Sequence, residues 1–139
     1  MRCEYDAYIH DAPIKQFSHW IRPNYKLVLV VRSDLRNRTR AQIATHCSSA
    51  SILAVENSFH NSKLSSLFWR ITGQTKVVVK ANSVSEFQRI CNEASKRNVC
   101  TSLIKERSND KSIDESIVLA VGPAPDSILH HITGNLKLY

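Results

Sequence analysis

Arg32, Arg36, Arg38 and Arg40 crowd a short stretch between an apolar run that ends at Val31 and a run of small residues from Ala41 to Ala50. The small residues read as a helix. A helix N-terminus presents unpaired backbone N–H groups and a partial positive charge, which suits it to an anion. Guanidinium groups set ahead of it add full charges, so a phosphate-bearing ligand is expected here. Gln42, His46 and Ser49 share one face of that helix. An amide, an imidazole and a hydroxyl are therefore the polar groups available beside the bound anion.

The wider composition agrees with an acidic partner. The 139-residue chain carries a formal net charge of +7, and from Arg22 to Arg40 the only anion among six cations is Asp34. A basic balance of this size argues for binding to polyanions and says nothing about fold. Cys3, Cys47, Cys91 and Cys100 form no CxxC pair and have no matching histidine spacing. Reduced thiols are thus expected rather than a disulfide framework, with no metal and no cofactor. His130 and His131 are adjacent, so their rings diverge, and a surface role is expected for them. No apolar run reaches the roughly 18–20 residues of a membrane span. The N-terminus has no charged-then-apolar leader pattern, which predicts a cytoplasmic protein.

The elements that must position these groups follow from periodicity. Residues 1–24 carry Pro13, Pro23 and scattered aromatics, and read as an arm with a short helical turn near 14–20. Lys26 to Val31 holds an unbroken apolar run from Leu27 onward, as in a strand covered on both faces. Thr39 and Gln42 match a capping box that opens a helix reaching roughly Glu56, with Ile43, Cys47, Ala50 and Ala54 inward. Asn57 to Ser62 reads as a turn. Lys63 to Trp69 reads as a second helix with Leu64, Leu67 and Phe68 inward, ended by Gly73. Lys76 to Lys80 is a second strand, and Ser83 with Glu86 opens a helix that Asn98 closes. Thr101 to Ile104 and Ile117 to Val121 are two further strands, joined by a polar loop from Lys105 to Ser116. Gly122 to Pro125 is expected to stop the last of them before a short helix from Ser127 to Ile132. Strand–helix–strand units imply parallel crossovers. The expected fold is therefore α/β, a compact three-layer α/β/α sandwich on a mixed, mostly parallel four-stranded sheet, in one domain spanning 25–139.

Several blocks together resemble the archaeal/eukaryotic-type (type 2) peptidyl-tRNA hydrolases. They are residues 26–35 (KLVLVVRSDL), Trp69 with 73–81 (GQTKVVVKA), 101–104 (TSLI), 118–125 (VLAVGPAP) and 132–139 (ITGNLKLY). The resemblance implies an α/β/α sandwich with a four-stranded mixed sheet, often as a homodimer. It also implies hydrolysis, without a metal, of the ester that joins a peptide to the 3′ end of tRNA. tRNA is thus the expected partner, and no membrane is.

The same comparison finds the family's site motifs rewritten. Where the family has a Gly-Lys-Gly-Lys loop before a helix bearing Gln-Cys-Ser-His-Ala, this chain has a longer loop with Arg36, Arg38 and Arg40 and no glycine. Aligned on Cys47 and Ser48, Gln42 replaces the family's helix-start lysine, His46 its glutamine and Ser49 its histidine. Where the family has Asp-Ala-Gly-Arg-Thr, counting from Ile104 gives Glu106 for the aspartate, Asn109 for the arginine and Asp110 for the threonine. Ester hydrolysis needs a base for water and a positive group for the developing oxyanion. The resemblance thus points to His46 as base, Glu106 as the group that orients it, and Arg40 with the helix N–H groups at the oxyanion. Arg32, Arg36, Arg38, Arg40, Lys105 and Arg107 are the expected tRNA contacts. Two other readings of the same residues are a member that binds tRNA ends or a protein partner without cleaving, and a purely structural helix start.

Overall fold

The computed structural model describes residues 24–35, 38–107 and 114–139. The arm up to residue 23, Arg36, Asn37 and residues 108–113, Asn109 and Asp110 among them, lie outside the described residues. Five strands and four helices are described: β1 (Tyr25–Arg32), α1 (Arg40–Asn61), α2 (Lys63–Ile71), β2 (Lys76–Ala81), α3 (Val84–Lys96), β3 (Thr101–Arg107), β4 (Asp114–Pro125), α4 (Asp126–Thr133) and β5 (Lys137–Leu138). No described helix is long and apolar enough to cross a membrane.

The sheet differs from the expectation. It has five strands in the order β3-β4-β1-β2-β5, and only β1 and β2 pair in parallel. The pairs β1–β4, β3–β4 and β2–β5 are antiparallel, so the sheet is mostly antiparallel rather than mostly parallel. The crossovers through α1 and α2 and through α3 do keep β1, β2 and β3 pointing one way. However, β4 returns between β1 and β3 in the opposite sense, and an unbroken apolar strand reveals burial on both faces but not direction. The tail adds a fifth strand, in which Lys137 and Leu138 pair with Lys80 and Val79.

The alternating side chains of these strands build two cores. Leu27, Leu29, Val31, Ile117, Val118 and Ala120 face α1 and α2, against Ala50, Ala54 and Trp69. Val28, Val30, Val79, Leu119 and Val121 face α3 and α4, against Phe87, Ile90, Leu129 and Ile132.

Helix boundaries bear on the site. Both halves of the Thr39–Gln42 capping box form: the Gln42 N–H donates to Thr39 Oγ1 at 3.2 Å, and the Thr39 N–H to Gln42 Oε1 at 2.9 Å. The helix then runs past Glu56 to Asn61, through the segment read as a turn, because its polar residues find partners on the packed side. Ser58 is buried, and Asn57 Nδ2 donates to Ser102 Oγ of β3 at 2.8 Å. Asn98, at φ 54°, and Gly73, at φ 100°, take the left-handed positions after α3 and α2.

Two further expectations are overturned. α2 turns Ser66 and Trp69 inward and leaves Leu64 and Leu67 exposed, while Phe68 stacks on Tyr25. The segment from Gly122 to Pro125 does not stop β4. Beyond Gly122, whose N–H still donates to the Cys100 carbonyl ahead of β3, the strand pairs only with β1, so Pro123 and Pro125 sit where one edge needs no donor.

Candidate active site

The site forms where the start of α1 passes over the end of the β3–β4 ladder that carries Glu106 and Glu115. Along β3, Ser102, Ile104 and Glu106 alternate onto the face toward α1, and Leu103, Lys105 and Arg107 onto the other. Opposite Glu106 stands Glu115 of β4. A β-bulge produces that juxtaposition: Ile104 pairs with Val118 but Lys105 with Ser116, so Ile117 is the extra residue. Without it the alternation of β4 would turn Glu115 to the α3 face, and bulges commonly re-aim a side chain in this way.

Two carboxylates directly across a strand pair repel each other unless a cation lies between them. Arg38 is that cation. Its guanidinium forms an ion pair with Glu106 and another with Glu115 at 3.1 Å, and its side chain is only 14% exposed. The Glu106 oxygen that meets Arg38, Oε2, also meets His46 Nε2 at 3.2 Å. His46 stands one turn beyond Gln42 on α1, on the shoulder between the buried stripe and solvent, with its side chain 17% exposed.

The electrostatics follow from this packing. Burial, and then the positive charge of Arg38, push the His46 imidazole below its ordinary value, so the ring is neutral at neutral pH. The contact with Glu106 is an approach of ring and carboxylate rather than a hydrogen bond: the Glu106 oxygen that faces His46 is buried and has no hydrogen-bond partner among the described residues. A histidine beside a carboxylate is the pairing from which a general base is built once the two are hydrogen-bonded. Cys47, next in sequence, is half-buried, and burial raises its thiol, which disfavours the thiolate a nucleophile needs.

The residues expected to act divide into groups. His46 and Glu106 come together. Arg40 is exposed on the first turn of α1, and among the described residues no ion pair joins it to either of them. Arg38, expected as a phosphate contact, is instead taken up by the two glutamates. Arg32 is likewise engaged, by Asp34 at 2.6 and 2.9 Å and by the Ser116 carbonyl at 3.3 Å. Gln42 and Ser49 are exposed. The Gln42 amide oxygen is spent on the helix cap, and the Ser49 hydroxyl donates to the Thr45 carbonyl. Lys105 opens on the opposite face of the sheet, beside Phe87 and Cys91 of α3. Arg36, Asn109 and Asp110 lie outside the described residues. Sequence reasoning missed Glu115 because the bulge that turns it toward Arg38 leaves no mark in a run of apolar residues. Among the described residues no group of three or more metal-ligating side chains could hold a metal ion.

Fold and site together define a class: an α/β sandwich with a mixed sheet and a histidine–carboxylate–arginine cluster at the Glu106–Glu115 end of the β3–β4 ladder. The chain belongs to the family described as Peptidyl-tRNA hydrolase PTH2, whose match covers residues 25–139. It is 36% identical over 115 residues to a peptidyl-tRNA hydrolase of Thermococcus sibiricus, covering 82% of this chain and 97% of that protein. It is 34% identical over 116 residues to the mouse protein named peptidyl-tRNA hydrolase 2, mitochondrial, covering 83% of this chain but only 64% of that one. A solved structure of a protein of unknown function from Agrobacterium tumefaciens shares the fold, with a TM-score of 0.51 at 14% identity over 84% of this chain and 98% of that one.

Proposed function

We propose that the protein hydrolyses the ester between a peptide, or an N-blocked amino acid, and the 3′ end of tRNA. Membership of the family supports the reaction class, and one observation carries the assignment of roles: the contact of His46 Nε2 with Glu106 at 3.2 Å. In this reading His46 Nδ1 takes a proton from water as the oxygen attacks the ester carbonyl, and Glu106 stabilises the imidazolium that forms. Arg38 holds Glu106 in place. Arg40 and the first-turn N–H groups of α1 supply the positive field for the oxyanion, and Arg40 cannot itself act as a base. The 3′-oxygen of tRNA leaves with the proton that His46 returns.

A second reading is favoured by the Gln42 side chain. It occupies the position of the family's helix-start lysine yet its amide oxygen accepts from the Thr39 N–H, so that position contributes helix structure and no charge. A member that binds tRNA ends without cleaving would look like this. Release of peptide from purified N-blocked aminoacyl-tRNA separates the two readings. Turnover that is lost in His46→Ala supports the hydrolase. Background cleavage by protein that still binds the tRNA supports the binder.

A further inference from the structure

The two edges of the sheet are finished differently. One ends on β5, which has only two residues. The other is β3, seven residues long, and among the described residues no strand pairs with its outer side. A strand edge presents unpaired N–H and C=O groups that can template another chain, and proteins usually blunt it with charge, proline or a bulge. From Thr101 to Ile104 β3 has none of these, since the extra residue of the bulge, Ile117, belongs to β4.

The pairing decides which groups face outward. The Gly122 N–H donates to the Cys100 carbonyl at 2.9 Å, so Cys100 and Gly122 form a hydrogen-bonded pair. Hydrogen-bonded and open pairs alternate along an antiparallel ladder. Thr101 opposite Val121 and Leu103 opposite Leu119 are therefore open pairs, and the backbone groups of Thr101 and Leu103 point away from β4. On the α3 side of this edge, Val84, Phe87, Cys91 and Leu103 line a cavity of about 440 Å³. Outward main-chain groups with a side-chain cavity alongside are what an extended peptide uses to join a sheet: the backbone bonds give affinity, and alternate side chains find pockets.

The edge also leads to the cluster. β3 runs from Thr101 to Glu106, whose carboxylate meets Arg38 and His46. Those six residues span about 17 Å, and an added strand would lie about 4.8 Å away, within side-chain reach of Glu106. A peptide ester whose reacting carbonyl sits at Glu106 has the rest of its peptide trailing back toward Thr101. Its carboxyl end then lies at the carboxyl end of β3, so the two run in parallel.

We propose that β3 takes up the peptide part of the substrate as an added parallel strand with the ester end at Glu106, which rests on the reading of the substrate as a peptide ester of tRNA. Pairing through main-chain groups reads the peptide as a backbone and tolerates varied side chains.

Binding of the full chain to tRNAs whose peptide is joined through a 3′-amide, which resists hydrolysis, tests this. A tRNA bearing an N-acetylated hexapeptide should bind about tenfold more tightly than one bearing N-acetylalanine, the effect of one or two net hydrogen bonds. It should also slow exchange of the Thr101 and Leu103 amides. Methylating one alternate set of the peptide's nitrogens should abolish the gain, and methylating the other set, which faces solvent, should spare it. Leu103→Pro gives up an N–H that serves no ladder bond, and it should abolish the gain as well. Equal affinity for the two tRNAs would overturn the proposal, as would a gain indifferent to methylation of either set. Slow exchange at Thr101 and Leu103 in the unbound protein would overturn it too, because the edge would already be paired. Cleavage of the corresponding esters is scored separately. A peptide gain without cleavage keeps the added strand and rejects the hydrolase, and cleavage with equal affinities does the reverse.

Discussion

At the scale of single residues, one carboxylate is shared between two partners. Glu106 stands between Arg38 and His46, so the arginine cancels much of the negative charge that would otherwise keep the imidazole protonated. Burial and the Arg38 charge then act in one direction and lower the histidine from its ordinary 6.5. A base works in its unprotonated form. kcat/KM should therefore rise with pH through a midpoint below 6.5 and be flat above neutrality. In Arg38→Gln the lowering charge is gone and Glu106 is left uncompensated, so the midpoint should move upward; a pH profile of the two proteins checks it. The same shift has a sign for stability. The folded ring binds a proton less readily than the unfolded one, so its contribution is complete above 6.5 and is lost as pH falls below it.

At the scale of elements, the helix start and the strand that crosses the sheet are the parts that place these groups. The capping box was legible because Thr39 and Gln42 stand at the one spacing that serves both backbone N–H groups. Thr39→Ala should lower stability by about 1 kcal/mol in denaturant unfolding. The long strand β4 was less legible. Gly122 read as a terminator, yet its φ of 105° and its close approach to the Lys26 carbonyl carry the strand around a shift in its pairing with β1. A Cβ there would lie 2.9 Å from the Ala124 nitrogen and 3.0 Å from that carbonyl. Gly122→Ala should therefore cost about 1–3 kcal/mol, read as a lowered midpoint of thermal or denaturant unfolding. Strand positions and inward stripes follow from hydrophobic spacing. Strand direction, the Ile117 bulge and hence Glu115 follow from pairings between distant segments, which no local pattern carries. The outward stripe of α2 departs from the inward one that spacing predicts for a related reason: amphipathic spacing identifies an apolar face, not the side of the molecule it meets.

At the scale of the whole molecule, the net charge of +7 is less available than the sequence suggests. Arg32 and Arg38 look like members of a phosphate-binding run, but both are folded against carboxylates, and Lys105 faces the other side of the sheet. Arg40 remains exposed at the start of α1. If tRNA is read there, Arg40→Gln should reduce the slope of log affinity against log salt concentration by roughly 0.7–0.9, the contribution of one phosphate contact. Arg32→Gln should leave that slope unchanged.

The most direct measurement of the central claim is single-turnover release of an N-blocked amino acid from tRNA by the full chain, beside His46→Ala and Glu106→Gln. The unmodified protein should release the amino acid well above background. His46→Ala should lower the rate by roughly 10²–10⁴-fold, the usual contribution of a positioned base, with tRNA affinity unchanged, and Glu106→Gln should give a smaller loss. Release that proceeds undiminished in His46→Ala would contradict it.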